Sequence, residues 1–139
     1  NCTMTLMLLG VIDCAAGDPQ AGYDHLDLAI RLSPRDTFLG FMLAAQAFTC
    51  FALERFAEGI ELARRAIQRE PHAPANHIIL AACLAEAGHL ADAGAAIRKQ
   101  LEINETLLTH YREGKRQPFK GRAISDRYAA ALQTAAAAS

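Results

Sequence analysis

Residues 122–136 place Ile124, Tyr128, Ala131 and Leu132 at i, i+4, i+7 and i+8, the spacing of a helix with one apolar face. Two alanine-rich amphipathic runs, FAEGIELARRAIQRE at 56–70 and HLADAGAAIRKQ at 89–100, are helical as well, and REPHAP at 69–74 breaks the pattern between them. The run MTLMLLGVI at 4–12 is mostly apolar, and NETLLTHYREGK predicts a further helix over about 104–116, with Asn104 as its cap. RQPFKG ends that helix before the last one begins. The expected fold class is therefore all-α.

The segments are imperfect copies of one another. LAIRLSPRD closes on Pro34 and RAIQREPHA closes on Pro71, each with Ala and Ile at the same offset upstream (Ala29 and Ile30, Ala66 and Ile67). The third copy, EAGHLADAGAAI, carries Gly88, Leu90, Ala93 and Ile97 in phase. A period of about 34 residues with two helices per unit resembles the tetratricopeptide repeat, W-x2-L-G-x2-Y, then A-x3-F, then P. The units predicted are about 3–36, 40–73 and 74–107, within one domain spanning 1–139, capped by helices over about 104–116 and 122–136. Leu9-Gly10, Gly17 and Pro34 match in the first unit; Leu43, Ala47, Phe56, Ala66 and Pro71 match in the second; Leu80-Ala81 and Leu84 match in the third. No unit has the tryptophan, Gly22 and Gly59 stand in place of the small alanine, Glu54 replaces the turn glycine, and Glu105 replaces the third closing proline.

Packing explains the pattern. Ala47, Ala81 and Ala93 are expected where paired helices cross. Gly17 and Gly88 end first helices through a left-handed residue, and Pro34 and Pro71 end second helices. One pair cannot bury its own apolar face, so stacking supplies the core and produces an α-α superhelix. The last helix is expected to cover the open end. The chain starts at Asn1, almost inside an apolar run, and reads as a piece of a longer protein.

Composition narrows the function. A formal net charge of −1 gives no general attraction to nucleic acid, and the 4–12 run is too short to span a bilayer. Arg112, Lys115, Arg116, Lys120, Arg122 and Arg127 form a basic stretch, opposite in sign to Asp13, Asp18, Asp24, Asp27 and Asp36; it is either a solvated end or a contact with that acidic part. Cys2, Cys14, Cys50 and Cys83 are widely spaced, which fits buried free thiols in a cytoplasmic protein. His25, His72, His77, His89 and His110 form no H-E-x-x-H or similar cluster, and Ser33, Ser125 and Ser139 have no base-and-acid set nearby. Glu54, Glu58 and Glu61 read as exposed carboxylates beside Arg55, Arg64 and Arg65. No catalytic, metal or cofactor site is expected, and the segment is not expected to be an enzyme.

Binding is expected where first helices line the inner face of such a superhelix. Repeat position assigns Met4, Met7, Val11 and Cys14, then Phe41, Ala44, Phe48 and Phe51, then Ala75, Ile78, Ala82 and Ala85, with His77 on the same helix. Of these, Met7, Val11, Phe41, Phe48, Phe51, His77, Ile78 and Ala82 are the candidate groove. They either bind an apolar or amphipathic protein segment or fill the core. Chaperone-clamp members of the tetratricopeptide group grip a carboxylate with Lys, Asn and Arg; this set has none.

A narrower resemblance covers about residues 20–134. Ala29–Asp36, Leu53–Ile67 and Pro118-Phe119 are similar to the tetratricopeptide region that follows the catalytic domain of bacterial class III adenylate/guanylate cyclases, and to relatives attached to winged-helix regulators. The resemblance implies a regulatory, partner-binding appendage in signal transduction. Its partner would be a protein or peptide, a second copy in a homodimer, or an upstream domain of the same chain. No cyclase catalytic residue has a counterpart here.

Overall fold

The computed structural model describes residues 2–106 and 122–139. Among them the chain is helical throughout: α1 (Cys2–Ala15), α2 (Pro19–Leu32), α3 (Leu39–Ala52), α4 (Phe56–Arg69), α5 (Pro74–Glu86), α6 (Leu90–Ile103) and α7 (Arg122–Ala137). Helices α1 to α6 form three consecutive hairpins, each stacked on the next. Most of the helix expected over about 104–116 lies outside the described residues. Its first residue does act as a cap, since Asn104 Oδ1 accepts the Thr106 N–H at 3.0 Å.

Each hairpin turns through the same device. Gly17 and Gly88 have φ of 94° and 86°. The amides on either side of the turn donate backward, Asp18 to the Asp13 carbonyl and His89 to the Leu84 carbonyl, both at 2.9 Å. The second hairpin makes the same closure, Arg55 to the Cys50 carbonyl at 2.8 Å, although its left-handed residue is Glu54 at φ 61°. An L side chain in that conformation is strained by about 1–2 kcal/mol, while a new glycine adds about 0.4–1 kcal/mol of freedom to the unfolded chain. Glu54→Gly is therefore expected to stabilise by about 0.5–1 kcal/mol. A thermal melt checks this, and a lowered midpoint would mean that the exposed Glu54 carboxylate matters more than the strain.

Second helices stop where the sequence indicates. Ser33 and Glu70 cap α2 and α4, donating their amides to Ala29 and Ala66, with the proline immediately following. Helix α6 ends without a proline at extended Asn104 (φ −156°). Starts are marked by Asp18, whose carboxylate accepts the Ala21 N–H at 3.1 Å, and by Pro19 and Pro74 in the first turns of α2 and α5.

Small residues sit at the crossings. Ala47, Ala81 and Ala93 are completely buried. The two glycines that replace alanine lie at closer contacts still. A Cβ on Gly22 would meet the Gly10 carbonyl oxygen at 2.8 Å, and one on Gly59 would meet Cys83 Sγ at 2.9 Å. Polar contacts tie the first two hairpins together, the shortest of them at Glu58. Glu58 accepts from the Tyr23 hydroxyl at 2.6 Å and from the Cys50 thiol at 3.4 Å, while the Arg55 guanidinium lies 5.0 Å from the Tyr23 ring centre. Glu58 is thus a half-buried tie rather than the freely exposed carboxylate its helical spacing suggested.

Helix α7 does more than cover an end. It packs on α5 and α6 and reaches across to α3. The Tyr128 ring lies 5.1 Å from that of Phe51, edge to face, and 5.5 Å from that of Phe48. Arg127 reaches the same place, with Nη2 at 3.4 Å from Glu54 Oε1 and 3.5 Å from the Phe51 carbonyl oxygen. Tyr128, Ala131, Leu132 and Ala135 are buried. The last helix therefore occupies part of the inner face formed by the first helices α3 and α5.

Candidate functional site: an apolar cleft on the inner face

The rest of that face is open. A cleft of about 330 Å³ is lined by Val11, Cys14 and Ala15 of α1, by Phe41, Ala44, Ala45 and Phe48 of α3, and by Glu70, Ala73, Ala75 and Asn76 where α4 passes into α5. Its walls come from three successive first helices because stacking sets those helices side by side. Its apolar character follows from what they present, two phenylalanines over a floor of alanines. Phe41 is 47% exposed although large and aromatic.

The candidate residues divide. Val11, Phe41 and Phe48 converge on the cleft, with Cys14, Ala44 and Ala75 from the wider set of inner-face positions. Met7 is buried and borders a separate hollow with Thr3, Met4 and the 35–38 turn. Phe51, Ile78 and Ala82 are completely buried, and His77 is 5% exposed. These four are corrected from groove to interior. Tyr128 covers Phe51, and α5, which carries the other three, is the helix on which α7 chiefly rests. His77 Nε2 lies 2.9 Å from the Pro71 carbonyl oxygen. A carbonyl only accepts, so Nε2 carries the proton and the ring pins the α4–α5 turn. Repeat position did not point to Ala15, Ala45, Ala73, Asn76 and Glu70. The last three flank Pro71, the residue that turns the chain over the end of the cleft.

Charge is sparse at this site. Glu70 is the only acidic or basic side chain among the described lining residues, and it folds over Gly40, where a Cβ would come within 3.1 Å of it. Asn76 faces inward with both of its contacts made: Nδ2 donates to the Ala66 and Glu70 carbonyls at 3.3 and 3.2 Å.

The three buried thiols are held inert. Burial pushes the Cys14 thiol up to about 11 and Cys83 up to about 12. Burial, and then the neighbouring Glu58 carboxylate, raise Cys50 as well. A thiol so shifted stays protonated at neutral pH and is a poor nucleophile. Among the described residues no group of three His, Cys, Asp or Glu side chains is placed to hold a metal ion. No described helix is long and apolar enough to cross a membrane.

With this geometry the chain can be set beside known proteins. No family model matches it, and no curated protein matches it by sequence. Among solved structures, the crystal structure of MamA superposes with a TM-score of 0.71 over 98% of this chain and 77% of that one, at 19% identity. That likeness decides the fold. The chain is a tetratricopeptide-like helical solenoid. At this identity the likeness concerns architecture alone.

A second apolar surface lies at the α1 end. Leu8, Leu9 and Ile12 are 51%, 40% and 59% exposed on the side of α1 away from its buried Met7, Gly10 and Cys14. A helix apolar all round is characteristic of one buried on all sides.

Proposed function

We propose that this chain is a protein-interaction module that holds a partner segment in the inner-face cleft. The observation that carries the reading is the cleft itself, an open apolar concavity in which Phe41 remains half exposed. An aromatic left in water at a concave site gains most by being covered by a partner. The test is a pull-down from bacterial lysate with the wild-type chain beside Phe41→Asp. Partners retained by the first and lost by the second are expected. Equal retention by both, or turnover of a substrate by this chain alone, would contradict the reading.

The proposed context is a non-catalytic region of a bacterial adenylate/guanylate cyclase, working in the cytoplasm in signal transduction. It is supported by the matching segments Ala29–Asp36, Leu53–Ile67 and Pro118-Phe119. In that setting the partner is another protein or the upstream domain of the same chain. Nucleic acid, membrane and cofactor have no place in the proposal.

The apolar outer side of α1 favours a second reading, self-association. A dimer formed there would bury Leu8 and Ile12 from both copies. Under this reading Leu8→Glu with Ile12→Glu converts a concentration-dependent dimer into a monomer in sedimentation velocity. Wild type that stays monomeric at every concentration would remove it.

A further inference from the structure

The cleft specifies the shape of its occupant as well as its polarity. Building on the partner-binding reading above, we infer that the cleft takes an amphipathic α-helix seated beside α7, carrying a Lys or Arg that reaches Glu70.

The argument begins with the backbone. Every wall of the cleft is a helix or a helix end, so there is no strand edge to pair with an extended peptide. The Asn76 Nδ2 donor is already committed to the Ala66 and Glu70 carbonyls. An extended segment pressed against Val11, Phe41, Ala44, Ala45 and Phe48 would bury most of its backbone amides against apolar side chains, which is strongly unfavourable. A helix satisfies its amides internally and presents only side chains.

The adjoining part of the same face shows what such a surface accepts. Helix α7 lies there, anchored by Tyr128 on Phe48 and Phe51, with Ala131, Leu132 and Ala135 buried along its length. Phe48 belongs to both places: it touches Tyr128 and it lines the cleft. The open part is thus continuous with a seat already filled by a helix. Its floor of Ala44, Ala45, Ala73 and Ala75 is low enough for another to approach closely. At the rim, the Glu70 carboxylate has no cationic partner among the described residues and is 3.1 Å from where a Gly40 side chain would begin. A basic side chain completes that end.

The test uses the whole chain and synthetic peptides about four turns long, followed by fluorescence anisotropy. One peptide is stapled as a helix with leucines at i, i+4 and i+7 and an arginine in a terminal turn. The second has glutamate for that arginine, and the third is broken by prolines. The helical arginine peptide is expected to bind about tenfold or more tightly than the proline peptide, and Phe41→Ala to remove a similar factor. Glutamate for arginine should weaken binding about two- to fivefold, as a rim charge does. Glu70→Lys should reverse that preference, whereas Phe41→Ala should not. Circular dichroism establishes that both variants are folded. Equal binding of the proline peptide, no binding of any helix, or an unreversed preference in Glu70→Lys would each overturn the inference. If capture in the pull-down still depends on Phe41 after such a result, the partner-binding reading survives and only the helical occupant is lost. If capture never depended on Phe41, the reading itself falls.

Discussion

Replacing Tyr128 with alanine is expected to destabilise the fold by about 3–5 kcal/mol, the range for removing a large buried aromatic. Tyr128 is 1% exposed and its ring meets two others, Phe48 and Phe51, which belong to a helix far away in sequence. With Arg127 it links α7 to the second hairpin, so its loss removes the aromatic cover from Phe51 and leaves a large cavity beneath α7. A small domain holds only about 5–15 kcal/mol in total, so the effect is large. Urea unfolding followed by circular dichroism measures it, and Tyr128→Phe, which keeps the ring, should retain most of the stability. A Tyr128→Ala change below about 1 kcal/mol, the level of an ordinary surface substitution, would mean that α7 is not held as described.

The second large effect is expected at Gly22. A side chain there would meet the Gly10 carbonyl oxygen at 2.8 Å, the Cys14 nitrogen at 3.2 Å and the Cys14 Cβ at 3.3 Å. Two of those atoms are backbone, so α1 and α2 must move apart rather than rearrange a side chain. Gly22→Val is expected to cost about 2 kcal/mol net, overpacking of about 1–3 kcal/mol set against a small gain in helix propensity. Since α1 also carries Val11 and Cys14, the displacement should weaken binding in the cleft. Thermal unfolding and anisotropy with the helical peptide read the two consequences separately. Unchanged stability would mean that the crossing is looser than 2.8 Å implies.

Much of the fold was legible in the sequence because repetition multiplies weak signals. Pro34 and Pro71 mark ends that the structure places just beyond α2 and α4. Gly17 and Gly88 mark left-handed turns, while Glu54, a departure from the pattern in sequence, takes the same conformation in the structure. The site was only partly legible. Repeat position says which residues a first helix turns inward, and Val11, Phe41 and Phe48 follow from it. It does not say which of those residues another element will cover. Phe51, Ile78 and Ala82 are buried all the same: Tyr128 of α7 covers Phe51, and α7 packs on α5, which carries the other two. The amphipathic pattern of Ile124, Tyr128, Ala131 and Leu132 shows that α7 needs a partner surface, without saying which one. Glu70 was invisible for a related reason: it belongs to the end of a second helix and reaches the cleft only because the chain turns at Pro71.

Photocrosslinking tests the central claim, that partners enter through the inner-face cleft, most directly. A benzophenone amino acid replaces Phe41 in one preparation and Leu101, exposed on the outer helix α6, in another. The account predicts adducts to captured partner from position 41 and none from position 101. Adducts from position 101 with none from position 41 would contradict it.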